Sequence, residues 1–359
     1  MKIPEGDKIA YKRVLETVED LCHKVNLVRP DQSLSEYGHM SMDDLASSLG
    51  GTNLVRKLVD IWTSAMLGMA SKDVSAVYFL HYCRAGGGLL QMRSDAKGGG
   101  QNIRIRGGTQ SLAEGLYKQL RPGTVRFSAA VEKVTQDLNE GCLVTTRKKE
   151  SFRCQKVVSS VPSVLLKHIT FSPPLSANKR WMISQNRLGF YAKVHLVYET
   201  TWWRGKNLCG QSQGFEGPVG LTRDTSSDAD ELYDLTCFLV GDRGRQWSQQ
   251  TRDARIQDVL KHVDKIYGMK CPTPIEVIDY IWNDQEFSQG APCPVVPSSC
   301  LQALGNDQWR PEGHIHFAGT EMSTVWKGYM EGALTAGATA AAEVISQLKP
   351  HLSAFKPSI

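Results

Sequence analysis

At 359 residues the chain is long enough for two domains with separate cores, and 41% apolar with 22% charged residues is the composition of a globular protein, not of a disordered or fibrous one. A net charge of +5 is spread thinly; its one short basic run, Arg147-Lys148-Lys149 beside Glu150, predicts a solvated hairpin rather than a nucleic-acid surface. No membrane span, secretory signal or lipidation motif is readable, and nine cysteines without CxxC or His-rich spacing point to reduced thiols in a cytoplasmic protein with no metal site.

Residues 8–28 place Leu15, Val18, Leu21 and Val25 at helical spacing and predict an amphipathic surface helix. Ser41 before Met42-Asp43-Asp44-Leu45 is an N-cap with acids in the first helical turn. The stretches 54–69 and 74–83 are apolar enough for core helices. Gly86-Gly87-Gly88 and Gly98-Gly99-Gly100 flank Gln91-Met92-Arg93-Ser94, which reads as a strand between turns. Neither triplet is a dinucleotide fingerprint, because no apolar strand precedes it and no helix follows. Gly107-Gly108-Thr109-Gln110 opens a helix at 111–120, followed by hairpin strands at 125–134 and 141–146 and a further strand at 152–161. Residues 188–203 alternate as a long strand, 232–240 as another, 253–267 form an amphipathic helix, and 275–282 is the last strand of this half. Alternation alone makes Lys193 a strand lysine facing water.

The C-terminal stretch joins three signals. Residues 314–318 alternate between Gly313 and Gly319 as a short buried strand, Gly319-Thr320-Glu321 breaks it, and the Ala-rich run from Gly328 is helical. Gly332 and Gly337 thin one face of that helix so that a neighbour can approach closely. The backbone N–H groups at its start favour an anion or a polarised carbonyl. A flavin ring, which gains negative charge near N1 and C2=O on reduction, suits that place.

Phe317-Ala318-Gly319-Thr320-Glu321 followed by Trp326-Lys327-Gly328-Tyr329-Met330-Glu331-Gly332-Ala333 resembles the C-terminal flavin motif of the flavin monoamine oxidase family. The resemblance runs over residues 30–348 and implies a mixed α/β (α+β) protein of two discontinuous domains. The substrate domain is expected at 1–103 and 182–282, the Rossmann-like FAD-binding domain at 104–181 and 283–350, and a tail at 351–359. It also implies FAD as cofactor, contacted at Gly319, Thr320, Glu321 and Met330, by the Val131 backbone at the adenine end and by Trp282 near the ring. Lys193 then becomes the lysine that holds a water near flavin N5. The implied reaction is oxidation of a C–N bond in an amine-type small molecule, with electrons passing to flavin and then to dioxygen. No nucleophilic triad is needed for it, and neither G-x-S-x-G nor H-E-x-x-H occurs.

The chain departs from the family in four places. Tyr329 keeps one position of the aromatic pair that members place before the flavin, but Pro292 takes the other. Losing one face of that cage removes ~1 kcal/mol of cation–π attraction for an amine, which points to a less ordinary substrate, as in specialised metabolism. Ala291 stands where some members attach flavin through cysteine, with Cys293 two residues on, so FAD is expected to be non-covalent. Arg93 lies close to a cavity-facing position and either pairs an acidic substrate group or sits in water. The family's N-terminal G-x-G-x-x-G unit has no counterpart, nor do its arginine- and tryptophan-bearing flavin loops. A sheet without that strand exposes backbone edges, which an oligomer or a complementing chain would fill. The rival readings are a flavin-dependent desaturase or cyclising oxidase acting on C–C bonds, and a truncated, non-catalytic small-molecule-binding protein.

Overall fold

A computed structural model describes residues 3–137, 139–297 and 309–348. They form two compact units: Met1–Lys24, Leu34–Leu80 and Arg187–Leu301 in the first, Val25–Ser33, His81–Asn186 and Gln302–Ile359 in the second. The sequence reading sets its own domain junctions at 103/104, 181/182 and 282/283. Among the described residues no helix is long and apolar enough to cross a membrane.

The first unit is built on a five-stranded antiparallel sheet in the order β11-β7-β10-β9-β8. These strands are β7 Tyr191–Tyr198, β8 Ser212–Gln213, β9 Leu221–Asp224, β10 Tyr233–Val240 and β11 Glu276–Ile281. In β7 burial alternates strictly: Ala192, Val194, Leu196 and Tyr198 enter a core shared with Trp247 of α8 (Gly241–Ser248) and Val259 of α9 (Arg252–Tyr267). Each aliphatic side chain buried there contributes about 1.5–3 kcal/mol. The expected strand at 188–203 is divided into β6 (Arg187–Gly189) and β7, because the Phe190 N–H donates to Gly68 O at 2.9 Å instead of to a neighbouring strand. Only glycine permits this approach, since a Cβ on Gly189 would lie 1.9 Å from Leu67 O, at the end of α3 (Asn53–Leu67). Helix α2 (Met42–Ser48) starts on a capping box: Ser41 Oγ accepts from Asp44 N at 3.1 Å and the Asp44 carboxylate accepts from Ser41 N at 3.0 Å. Helix α1 spans Glu5–Lys24 and stops short of residue 28, because the Asn26 side chain takes the Val28 and Arg29 N–H groups into a turn ahead of Pro30.

The second unit holds the last part of α4 (Ala76–Ala85) and then α5 (Leu89–Arg93). The strand expected at 91–94 is therefore a helical turn. Its buried residues, Leu89 and Met92, are three apart, which is helical spacing, and Gly88 at φ 121° begins it. Helix α6 (Gln110–Gln119) follows in a stretch, 101–128, with no buried residue, and Leu112, Leu116 and Leu120 stand exposed along it. A four-stranded sheet has the order β3-β2-β1-β5, from β1 Val131–Asp137, β2 Gly141–Thr146, β3 Ser151–Cys154 and β5 Thr170–Ser172. The strand expected at 152–161 splits because its halves serve different sheets: β3 pairs antiparallel with β2, while β4 (Val157–Ser159) pairs in parallel with β13 (Ile315–Phe317). Helix α10 (Met330–Leu348) buries Gly332, Ala336 and Ala340, and Glu343 on it meets His316 Nδ1 of β13 at 2.9 Å.

Candidate functional site

Strand β13 delivers the chain into a short turn, Thr320–Met322, entered through Gly319 at φ 119°. Thr320 Oγ1 donates to Tyr329 O at 2.8 Å, which folds the loop back onto the start of α10. Both oxygens of the buried Glu321 carboxylate are engaged by Ser163, from N at 2.6 Å and from Oγ at 2.5 Å, and Asn186 Nδ2 donates to Ser163 Oγ at 2.8 Å. Burial pushes the Glu321 carboxyl up, against the pull of the Ser163 hydrogen bonds and of Lys327. The Lys327 ammonium, also buried, donates to Glu321 O at 2.7 Å. Gly319, Thr320, Glu321, Tyr329 and Met330 are thus brought together, with the Glu321 side chain committed to Ser163 and Met330 exposed at the first position of α10.

The Tyr329 ring lies 6.4 Å from that of Tyr82, tilted by only 29°, and 5.2 Å edge-on to Trp326. Burial raises the Tyr329 pKa. Trp326 N donates to Ala85 O at 2.8 Å, so the end of α4 anchors the loop. Next to Tyr82, His81 is fully buried, with Nε2 3.1 Å from Leu27 O and Nδ1 without a partner among the described residues. Burial and then the Lys327 charge push its pKa down to about 3, so the ring is neutral. Val131 opens β1 opposite Thr146, and Arg93 is the half-buried last residue of α5.

Gly332 matches the close approach expected of the α10 glycines: a Cβ there would stand 2.5 Å from Trp326 O and 2.8 Å from Thr320 Oγ1. Gly337 does not, having nothing within 4 Å of its Cβ position. Gly332→Ala is therefore expected to lower stability by about 2 kcal/mol through overpacking, and Gly337→Ala to raise it by up to ~1 kcal/mol through helix propensity. Urea unfolding of the two variants checks the opposite signs.

In the first unit Lys193 stands between Phe238 on β10 and Tyr280 on β11 by register, with Nζ 5.2 Å above the Phe238 ring centre. It is half-buried rather than water-facing, and burial lowers its pKa against the attraction of Asp234. Trp282 follows β11, edge-on to Tyr280 at 4.7 Å and 37% exposed. Pro292 is exposed on β12 (Ala291–Val295), the partner of β6, while Cys293 is buried. Tyr82, His81 and Ser163 escaped the sequence reading, which includes Lys327 in a motif but gives it no role. Lys327 alone left a local sign, a charge inside an otherwise uncharged Trp-Lys-Gly-Tyr run.

The family profile for flavin-containing amine oxidoreductases matches residues 19–345. Amine oxidase [flavin-containing] B of Sus scrofa is 29% identical over 334 residues, covering 92% of this chain and 64% of the relative. A probable flavin-containing monoamine oxidase A of Dictyostelium discoideum is 26% identical, covering 93% of this chain and 73% of its own length. A putative flavin-containing monoamine oxidase of Mycobacterium tuberculosis is 31% identical, covering 87% and 67%. The chain thus spans about two thirds of the length of these relatives. Among solved structures, putrescine oxidase bound to putrescine superposes with a TM-score of 0.88 at 21% identity, covering 96% of this chain and 77% of that one. Cyclohexylamine oxidase from Brevibacterium oxydans IH-35A does so with 0.84 at 23% identity, covering 97% and 77%.

Proposed function

The chain belongs to the flavin-containing amine oxidoreductase family, and from that premise we propose that it is an FAD-dependent oxidase acting on a C–N bond of a small amine, with dioxygen as electron acceptor. The observation that carries the reading is the start of α10. The first-turn N–H groups of a helix have no acceptor within it, Met330 and Glu331 are exposed there, and Thr320 and Gly332 hold the approaching loop tight. This backbone suits the pyrimidine edge of a flavin. FAD, when bound, supplies the two-electron acceptor.

Gly319, Thr320 and Met330 would hold the ring, with Glu321 fixing the turn through Ser163. The Val131 backbone would take the adenine end, and Trp282 would pack near the ring. With Ala291 in place of an attaching cysteine, the cofactor is non-covalent. Tyr329, backed by Tyr82, offers an aromatic face that orients the substrate amine, while Pro292 and Arg93 shape the rest of the substrate contact. Lys193, its pKa lowered by burial, would hold a water beside the flavin. The unit containing β7 would serve as substrate domain and the unit containing α10 as FAD domain, in a cytoplasmic protein of specialised metabolism whose β4–β13 edge takes a complementing chain.

Gel filtration of the protein after incubation with FAD is expected to leave a yellow, flavin-absorbing species that releases peroxide on amine oxidation. Lys193→Met should lower the oxygen-dependent rate about tenfold, or 1.4 kcal/mol, without loss of bound flavin. A folded, colourless protein would sink the reading.

A further inference from the structure

The face of β7 that carries Lys193 also carries His195, which the proposed oxidation does not use. His195 Nδ1 lies 2.7 Å from Asp234 Oδ2. Asp234 is 6% exposed, and its Oδ2 also accepts from Thr225 Oγ1 at 2.6 Å and from Thr236 Oγ1 at 3.0 Å, while Oδ1 is buried without a partner among the described residues. Thr236 Oγ1 further lies 3.1 Å from His195 Nδ1. The carboxylate is anchored, whereas the His195 side chain keeps 34% of its surface. In the tautomer with Nδ1–H directed at Asp234, Nε2 carries the ring's lone pair and is an acceptor.

The surroundings are those of a contact surface rather than a solvated one. By register His195 faces Ile278 on β11 and Lys193 faces Tyr280, and both apolar partners are open, at 46% and 42%. Phe238 on β10 stands on the other side of Lys193. Two residues along one strand separate His195 from Lys193 by about 7 Å.

We propose that His195, held by Asp234, is a specificity-determining residue whose Nε2 accepts a hydrogen bond from a hydroxyl on the amine substrate. This rests on the reading that Lys193 stands beside the reacting centre. A para-phenol two carbons from an amine has that reach, so tyramine and 2-phenylethylamine, which differ only in the hydroxyl, are the probes.

The FAD-loaded protein is expected to favour tyramine about tenfold in kcat/KM. His195→Leu should abolish the preference by raising the tyramine KM, leave 2-phenylethylamine within about twofold, and His195→Gln, which keeps an acceptor, should retain part of it. In parallel, two-bond 15N–1H spectra should show the Nε2 signal of His195 shifting on addition of tyramine and not of 2-phenylethylamine. An absent preference in the parent protein, or an equal loss on both amines in His195→Leu, overturns the proposal. If neither amine is oxidised, the spectra decide His195 separately: a tyramine-specific shift supports its role, and no shift overturns it.

Discussion

Glu321→Leu is expected to remove about 3–5 kcal/mol of folding stability, the range seen when one member of a buried charged network is deleted. The carboxylate is the acceptor for both Ser163 N–H and Ser163 Oγ–H, and its charge faces the buried Lys327. Leucine fills the space but leaves the Ser163 N–H without an acceptor, which alone costs ~1–3 kcal/mol. It also removes the carboxylate charge that faces the Lys327 ammonium, while the bond from Lys327 Nζ to the backbone carbonyl of residue 321 is kept. Glu321→Gln preserves the volume and one acceptor oxygen, so its loss should be smaller, about 1–2 kcal/mol. Urea unfolding measures both. Because the loop ordered by this network leads into α10, flavin retained after gel filtration should fall in the same order. Equal losses for leucine and glutamine would show that the hydrogen bonds to Ser163 contribute little.

His81 sets the second large effect, in pH. Its folded pKa of about 3 lies far below the ordinary 6.5. The native ring stays neutral while the unfolded chain takes up a proton below 6.5, so the unfolded state binds more protons throughout the window from 6.5 down to 3. Stability therefore falls as pH falls through that window, by up to about 1.4 kcal/mol per unit, and is about 2 kcal/mol lower at pH 5 than at pH 7 from this residue alone. His81→Asn, which cannot take the proton, should lose that much less between the same two pH values, whatever its packing costs at pH 7. Parallel urea titrations decide it: identical pH slopes for the two proteins would mean that His81 is charged in the fold.

Periodicity made β7 and α10 readable, because alternation at 191–198 and the Ala-rich run at 330–348 each report one buried face. The same rule misled at 91–94, where Met92 lies inside the window but its buried companion Leu89 lies outside it, and the visible Gln91 and Arg93 are polar. Lys193 was readable as a position on a strand face. That Phe238 and Tyr280 flank it there depends on the register of three strands, which no local pattern encodes. Glu321 stood out in its motif, yet its partner Ser163 lies 158 residues away and leaves no mark beside it. His81 sits in a run that reads as core, and its unpartnered Nδ1 follows from what packs around the helix. Gly332 and Gly337 look alike in sequence, and only the return of Trp326 and Thr320 onto the helix separates them.

The stretch 101–128 buries none of its side chains, so the ten residues of α6 have little beyond intrinsic propensity, the Gln110–Glu114 hydrogen bond and the Tyr117–Phe127 ring contact to hold them. A helix that short is marginal in water without tertiary support, and its opening is uncoupled from that of β1 and β2, which are held by a hydrogen-bonded ladder. Backbone protection against solvent exchange is therefore graded within one unit: amides of α6 open at little cost, while those of the paired strands open only when the sheet itself comes apart.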